Sequence, residues 1–576
     1  MREIYLAVPV FLPILGGICL LALGKKFSGR QNETIMAFLV EGIVLLNSFV
    51  TAFLLMRFAG SGQTESGRMV LFRLFDSLTV SFKLDRMGGV FAGLVAFLWP
   101  LATLYAFEYM KEEERKSTFF SFYTMTYGVT MGIALSGNLV TMYLFYEMLT
   151  LVTFPLVLYP MTKEAARASR SYLYYSIGGA AFAFLGLVFV LGYSSTGNTE
   201  FLPGGVLDLT RAEGRKQVLL FIYVLAFFGF GVKAALFPCY GWLPKAAVAP
   251  TPVTALLHAV AVVKSGAFAI MRFTYFSFGT EFLRGTWAQW VVMTAALVTI
   301  VFGSTMAVRE VHWKRRLAYS TISNLSYILF GASLMSPLGL AAALSHLAAH
   351  AFMKICSFFC AGAVMHQTGK TYVYELDGMG KRMPVTFGCL TVASFSLMGI
   401  PLFAGFISKW NLGQAALRCA GEFAGAAAVS AKELDGVTGI LGNAGRWLPY
   451  AGVAVILYSA LMTGIYMLTV LVRAYFPKIP AAVMPCGRNE KAAESENDTA
   501  AGCGRAAAEE GICGGEERKN GGMAEPAAAA VGTVGNCDPN WMMLAPLLVF
   551  AAAILLIGVH SAPLMELLTA IGGEAG

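Results

Sequence analysis

The chain has 576 residues, 57% of them hydrophobic and only 13% charged, with a mean hydropathy of +0.65. That balance excludes an ordinary soluble globular protein, which is about one-quarter charged, and leaves little material for a separate soluble catalytic domain. The net charge of +8 falls in short loops between apolar runs, so it speaks for membrane orientation; no RNA- or DNA-binding motif is present and no nucleic-acid partner is implied.

At about 20 apolar residues per crossing, the sequence predicts an all-α integral membrane protein with about fourteen transmembrane helices. They fall near 5–24, 34–58, 87–107, 118–136, 139–160, 170–193, 217–237, 250–276, 287–308, 317–335, 337–364, 384–410, 450–476 and 541–560. The first is too long, and lacks the small-residue flank, for a removable signal peptide. Lys25, Lys26, Lys111, Lys116, Lys163, Arg167, Lys245, Arg315, Arg316, Lys370 and Lys381 all follow odd-numbered helices. Positive charge stays inside, so the odd-numbered loops are expected in the cytoplasm and the N-terminus outside a cell membrane. The loop 59–86 runs against this, holding Arg68, Arg73, Lys83 and Arg86 on the outer side. Arg309–Arg316 reads as a solvated cytoplasmic anchor, and Glu41, Asp85 and Glu108 lie near span ends, where water reaches them.

Several spans carry ionisable residues, each costing about 2.5–3.5 kcal/mol at the bilayer centre. Glu147 lies in the middle of the fifth span, in YLFYEMLTLVTFP. Lys233 precedes Pro238 in the seventh, in GFGVKAALFP, and is the obvious partner for Glu147. His258 and Lys264 share the eighth span but point about 120° apart, with His258 accessory. In the eleventh, His346, His350 and Lys354 lie at i, i+4 and i+8 in LSHLAAHAFMK, on one helix face. Imidazole titrates near neutrality, and an amine held away from water can release its proton as well as hold it. In the twelfth span, Gly399 and Pro401 precede Lys409 in MGIPLFAGFISKW.

Buried charge and backbone break therefore coincide in helices 7 and 12. Interrupted helices at corresponding places in two halves point to inverted repeats with ion sites where the helix unwinds; proline kinks that ease packing are the plainer alternative. The chain divides into helices 1–3 (1–117), two inverted five-helix repeats (118–276 and 287–476), a flexible cytoplasmic insertion (479–540) rich in Ala, Gly and Glu, and the last helix with the C-terminus (541–576). Zinc on the histidine pair lacks the HExxH glutamate, since Leu347 follows His346. Two histidines one turn apart cannot take opposite faces of one haem. Cys486, Cys503, Cys513 and Cys537 fit no metal-site spacing, and Cys356 and Cys360 read as helix packing. Neither a metal nor a cofactor is expected.

The run Phe230–Gly266, FGVKAALFPCYGWLPKAAVAPTPVTALLHAVAVVKSG, resembles the hallmark segment of the antiporter-like family. RRLAYSTISNLSYILFG (315–331) and LSHLAAHAFMKICSFFCAGAV continue the likeness, which covers roughly Phe82 to Phe476. That family comprises proton-pumping subunits of NADH dehydrogenase, large subunits of Mrp-type cation/proton antiporters, and subunits of membrane-bound hydrogenases. The resemblance implies that Glu147 and Lys233 form a coupling ion pair, with Lys264 on a central polar axis. His346 and His350 would be relay histidines with Lys354 close behind, and Lys409 would take the twelfth-helix position. Lysine there, with the GWLPKA wording, is most similar to the D-type subunit of Mrp-like antiporters. The long lateral helix of the largest respiratory subunit has no counterpart after the fourteenth span.

The function so implied is proton translocation by one membrane subunit of a multisubunit complex, coupled to redox chemistry or to Na+/H+ exchange. A stand-alone Mrp-like antiporter is the alternative; a quinone- or haem-binding enzyme and a non-conducting scaffold are weaker ones. No catalytic centre is expected in this chain. The expected partners are other membrane subunits, H+ with Na+ as a second candidate ion, and the lipid bilayer.

Overall fold

The computed structural model describes residues 4–24, 30–75, 78–195, 197, 199–430, 437–477 and 537–575. The insertion read at 479–540, with Cys486, Cys503 and Cys513, lies outside the described residues except for 537–540. Those four residues belong to the helical body. The Cys537 amide donates to the Arg382 carbonyl at 2.7 Å. The Asp538 carboxylate accepts from Val385 N and Thr386 N at 3.1 Å, at the start of a helix whose first amides have no internal partner.

In hydrocarbon every backbone polar group must be paired within its own segment, which leaves helices as the economical solution. The chain follows that rule in α1 (Val8–Leu23), α2 (Arg30–Gly60), α3 (Arg86–Tyr109), α4 (Lys116–Ala134), α5 (Leu139–Leu158) and α6 (Lys163–Tyr193). It continues in α7 (Lys216–Gly231), α8 (Thr251–Phe278), α9 (Trp287–Arg309), α10 (Trp313–Ser333) and α11 (Pro337–Thr368). The remainder is α12 (Pro384–Met398), α13 (Ala404–Ser430), α14 (Val437–Tyr475), α15 (Trp541–Val559) and α16 (Ala562–Ala575). Among the described residues, nine helices are long and apolar enough to cross a membrane. The other spans read from the sequence are helical too, but shorter (α1, α7, α12) or more polar (α4, α10, α13). Length and apolarity alone therefore do not fix the number of crossings.

α8 and α11 form the centre: the most apolar eighteen-residue window of each is wholly buried, against 22% of that window in α2 and 39% in α6. A helix apolar on all sides must sit inside protein or face lipid, and these two are inside. α6 and α7 approach closely where Gly179 and Gly229 meet. A Cβ on Gly229 would stand 2.6 Å from the Gly179 carbonyl oxygen, so only glycine allows that backbone contact.

The segment between α2 and α3, read from the sequence as a charged loop, pairs into an antiparallel hairpin, β1 (Met69–Phe75) with β2 (Leu78–Phe82). It docks on the α4–α5 turn, where the Asn138 amide donates to the Thr79 carbonyl at 2.7 Å and the Asn138 side chain also caps α5 at Thr141 N. A second correction concerns Arg309–Arg316. Arg309 and Arg315 are exposed, but Lys314 and Arg316 are buried. Lys314 donates to the Ala249 carbonyl at 3.2 Å and Arg316 to the carbonyls of Glu310 and Tyr466 at 2.8 and 3.0 Å. Carbonyls left over at helix ends supply the partners that solvent was expected to supply.

Candidate ion pathway

The first helix break follows α7. From Val232 the chain leaves helical geometry, crosses to a short turn at Trp242–Ala246 and frees carbonyls that need donors. Two side chains provide them: the Trp242 indole donates to the Val232 carbonyl at 2.8 Å and the Tyr146 hydroxyl to the Phe230 carbonyl at 3.1 Å. Lys233 sits in this break, fully buried. Its ammonium is in close contact with the Tyr146 carbonyl, to which it donates, and lies 3.4 Å from the centroid of the Tyr146 ring. Glu147, the next residue of α5, stands 3.8 Å away by its Oε1, an ion-pair distance too long for a hydrogen bond. Lys233 is 1% exposed and Glu147 29%, so the carboxylate marks the outward-facing end of the pair.

α8 packs on the break from the other side. Gly266 lies against the backbone of Lys233 and Ala234, where a Cβ would meet Ala234 N at 2.7 Å. One half-turn earlier Lys264 points away from Lys233 to His350 on α11, Nζ to Nδ1 at 3.2 Å. No direct hydrogen bond joins Lys233 to Lys264. From His350 the histidine stripe continues to His346, with ring centroids 5.9 Å apart and planes within 16°. His346 Nδ1 is 2.9 Å from the Ser408 hydroxyl, beside Lys409. The Nε2 atoms of His346 and His350 and both ring nitrogens of His258 are buried without a protein partner. His258 lies in a π-helical turn, Leu256–Val260, with its ring 4.8 Å from that of Phe358.

The second break separates α12 from α13. Gly399 adopts φ = 88°, a left-handed conformation natural to glycine, and ends α12. Lys409 of α13 reaches back across the gap and donates to the Leu397 and Met398 carbonyls at 2.6 and 3.2 Å. A cation therefore caps the negative end of a half-helix. Lys354 points elsewhere: its ammonium donates to the Ser320 hydroxyl at 2.6 Å and the Leu317 carbonyl at 3.2 Å, both on α10.

Glu147 with Lys233, Lys264 with His350, and His346 with Lys409 through Ser408 thus form three local groups in one buried band, and Lys354 opens a branch from it. Among the described residues no three His, Cys, Asp or Glu side chains converge as metal ligands. Sequence reasoning missed one buried cation. Arg272, near the end of α8, is fully buried and holds Asp85 with two hydrogen bonds of 2.6 Å. The arginine inside the apolar run AFAIMRFTYF was the available signal. Asp85 also caps α3 through Gly88 N at 2.7 Å, which makes it the structural residue it was expected to be.

Comparison with known proteins gives a consistent picture. Residues 136–433 match the family model described as NADH:quinone oxidoreductase/Mrp antiporter, TM, and residues 75–120 that of NADH-Ubiquinone oxidoreductase (complex I), chain 5 N-terminus. NADH-quinone oxidoreductase subunit N of Desulforudis audaxviator is 31% identical over 404 residues, 70% of this chain and 74% of that protein. A Na(+)/H(+) antiporter subunit of Alkalihalophilus pseudofirmus is 34% identical over 362 residues, 59% of this chain and 44% of that protein. The chain spans only 32–44% of the length of the antiporter subunits it matches. Two solved structures share the fold. One is the membrane-bound sulfane sulfur reductase, an archaeal respiratory membrane complex (TM-score 0.73, 21% identity, 99% of this chain and 97% of that one). The other is the Mrp complex from Dietzia sp. (TM-score 0.72, 20% identity, with the same coverage).

Proposed function

Because this chain belongs to the NADH:quinone oxidoreductase/Mrp antiporter family of multi-pass membrane proteins, we propose that it is a proton-translocating subunit of a multisubunit membrane complex. The pathway runs through Glu147, Lys233, Lys264, His350, His346 and Lys409, with Lys354 on a branch and His258 accessory. The observation that carries this reading is the Lys233–Glu147 pair at a backbone break, since buried charge at unwound helix is the mark of an ion site. Helices 4–8 and 9–13 of the sequence reading act as two inverted units around it.

The ion pair is the switch. With Glu147 close, the Lys233 ammonium is stabilised and keeps its proton; when Glu147 withdraws, the proton is free to pass to Lys264 and on through the histidines. At an effective permittivity near 20 such a pair is worth about 4 kcal/mol at 4 Å before desolvation. Moving one charge through 100 mV is worth about 2.3 kcal/mol. Separating the pair is therefore large enough to gate transport. It cannot drive transport, and the energy comes from a redox partner subunit or from a second ion gradient.

The chain lies in the cell membrane with its N-terminus outside and the loops after odd-numbered spans in the cytoplasm, alongside other membrane subunits. Antiporter relatives favour a second form of the same reading, a D-type subunit of a stand-alone Mrp-like complex exchanging a monovalent cation for protons. Lys233→Ala decides the core of the proposal. Proton uptake by vesicles carrying the whole complex is expected to be lost while the chain still inserts, and wild-type uptake would remove the ion pair from the mechanism. Dependence of wild-type uptake on added Na+ separates the antiporter form from a redox-driven one.

A further inference from the structure

α10 carries a polar face that the pathway above does not use. Arg316, Ser320, Asn324 and Tyr327 lie at i, i+4, i+8 and i+11, within about 80° of one another around the helix. All four are buried: 5, 0, 1 and 0% exposed. At one end Arg316 is pinned to backbone carbonyls, including that of Tyr466 on α14 at 3.0 Å. One turn on, the Ser320 hydroxyl lies 2.5 Å from the Tyr466 hydroxyl and accepts from Lys354 at 2.6 Å. The Tyr466 hydroxyl donates in turn to Thr463 at 3.2 Å. Further along, Asn324 donates to the Ser320 carbonyl at 2.7 Å, but its Oδ1 has no protein partner, and neither has the Tyr327 hydroxyl. The Tyr327 ring then stands 5.5 Å from the Lys409 ammonium and 5.1 Å from the His346 ring. Leaving an amide or hydroxyl oxygen unpaired in an apolar interior costs about 1–3 kcal/mol, and buried oxygens of this kind are ordinarily satisfied by internal water.

We propose that this face of α10, with Tyr466 of α14, is a hydrated branch that carries protons between the Arg316 end of α10 and the central axis, joining it at Lys354. The proposal rests on the transport reading given above and adds a route to it. Tyr466 and Ser320 are the groups that pass the proton: Lys354 releases one to the Ser320 oxygen while the Ser320 proton moves to the Tyr466 oxygen and the Tyr466 proton moves on to Thr463 or water. Each hop breaks one N–H or O–H bond and makes one, so nothing is consumed. Arg316 is a positioning residue that holds the Tyr466 backbone.

Two measurements on the complete complex in vesicles test the branch. In the first, Asn324→Cys is exposed to a membrane-impermeant, charged methanethiosulfonate from the Arg316 side, with wild type reporting the native cysteines and Leu457→Cys, on the exposed face of α14, as the lipid-facing control. Only a hydrated thiol ionises and reacts, so modification at least about tenfold faster than at Leu457→Cys is expected. Equal rates would overturn the proposal. Ser320→Cys, nearer the native side chain in size, decides the point if Asn324→Cys does not assemble. In the second, Tyr466→Phe keeps the ring and removes the hydroxyl. Slower proton uptake with an increased H2O/D2O rate ratio is expected, whereas wild-type uptake and isotope ratio would overturn the role of Tyr466. Thiol reactivity does not require pumping, so a complex that moved no protons would refute the transport reading while leaving the hydrated branch to be decided by labelling.

Discussion

Each buried cation in this protein has found a different partner. Lys233 has a carboxylate, Lys264 an imidazole, Lys354 a hydroxyl, Lys409 two helix-end carbonyls, and Arg272 a bidentate carboxylate. The choice predicts behaviour. Lys409 holds neutral acceptors, so if it works as a titrating amine, Lys409→Gln blocks proton uptake and Lys409→Arg impairs it too, because a guanidinium does not release its proton. An arginine variant as active as wild type in the same vesicle assay would make Lys409 an electrostatic anchor. Asp85 is the contrasting case. Burial pushes its carboxyl up, but the Arg272 guanidinium and the Gly88 amide outweigh burial and hold it below its ordinary value. A depressed folded value means that the stabilisation is present above the ordinary carboxylate range, near pH 4. It is lost as pH falls through the lower folded value. Asp85→Asn strands a buried guanidinium and is expected to cost about 3–5 kcal/mol, read as a lower unfolding temperature of the purified complex; an unchanged temperature would show that Arg272 finds other acceptors.

At the level of elements, the two breaks are built differently. After α7 the unwound segment is long and its free carbonyls are taken up by Trp242 and Tyr146 from outside the helix. Between α12 and α13 it is short, closed by Gly399 and by Lys409 itself. Close helix approach fixes the first break in place. Gly229→Val would drive a side chain into the Gly179 carbonyl and part α6 from α7; overpacking of this kind costs about 1–3 kcal/mol. Uptake and thermal stability are expected to fall together, and a variant of wild-type stability would mean that the α6–α7 contact yields without strain.

On the scale of the whole molecule, the fold puts its two most deeply buried helices, α8 and α11, side by side and gives them most of the ionisable residues. Outward-facing helices such as α2 insulate them from lipid. The proposed orientation predicts that Lys163→Cys, in the loop after the fifth span, reacts with an impermeant thiol reagent in inside-out vesicles and not in right-side-out ones. The reverse pattern would invert the topology and, with it, the sense of the pathway.

The membrane class, the helix positions, both breaks and the ionisable residues were legible in the sequence because hydrocarbon imposes rules on single segments. A span must be long and apolar, a charge within it is costly, and glycine or proline beside that charge marks an unwound site. Even Glu147 and Lys233 could be named as partners, since one carboxylate among many buried amines leaves few choices. Other features were decided only by tertiary structure. Lys314 and Arg316 looked like a solvated anchor, yet carbonyls of Ala249, Glu310 and Tyr466 take them out of water. Ser320 and Tyr466 carried no signal at all, because hydroxyls are common in membrane helices and gain meaning only from what stands opposite. Hydropathy is a property of one helix taken alone, whereas a hydrogen bond between helices depends on how each is rotated against its neighbour, and packing sets that rotation.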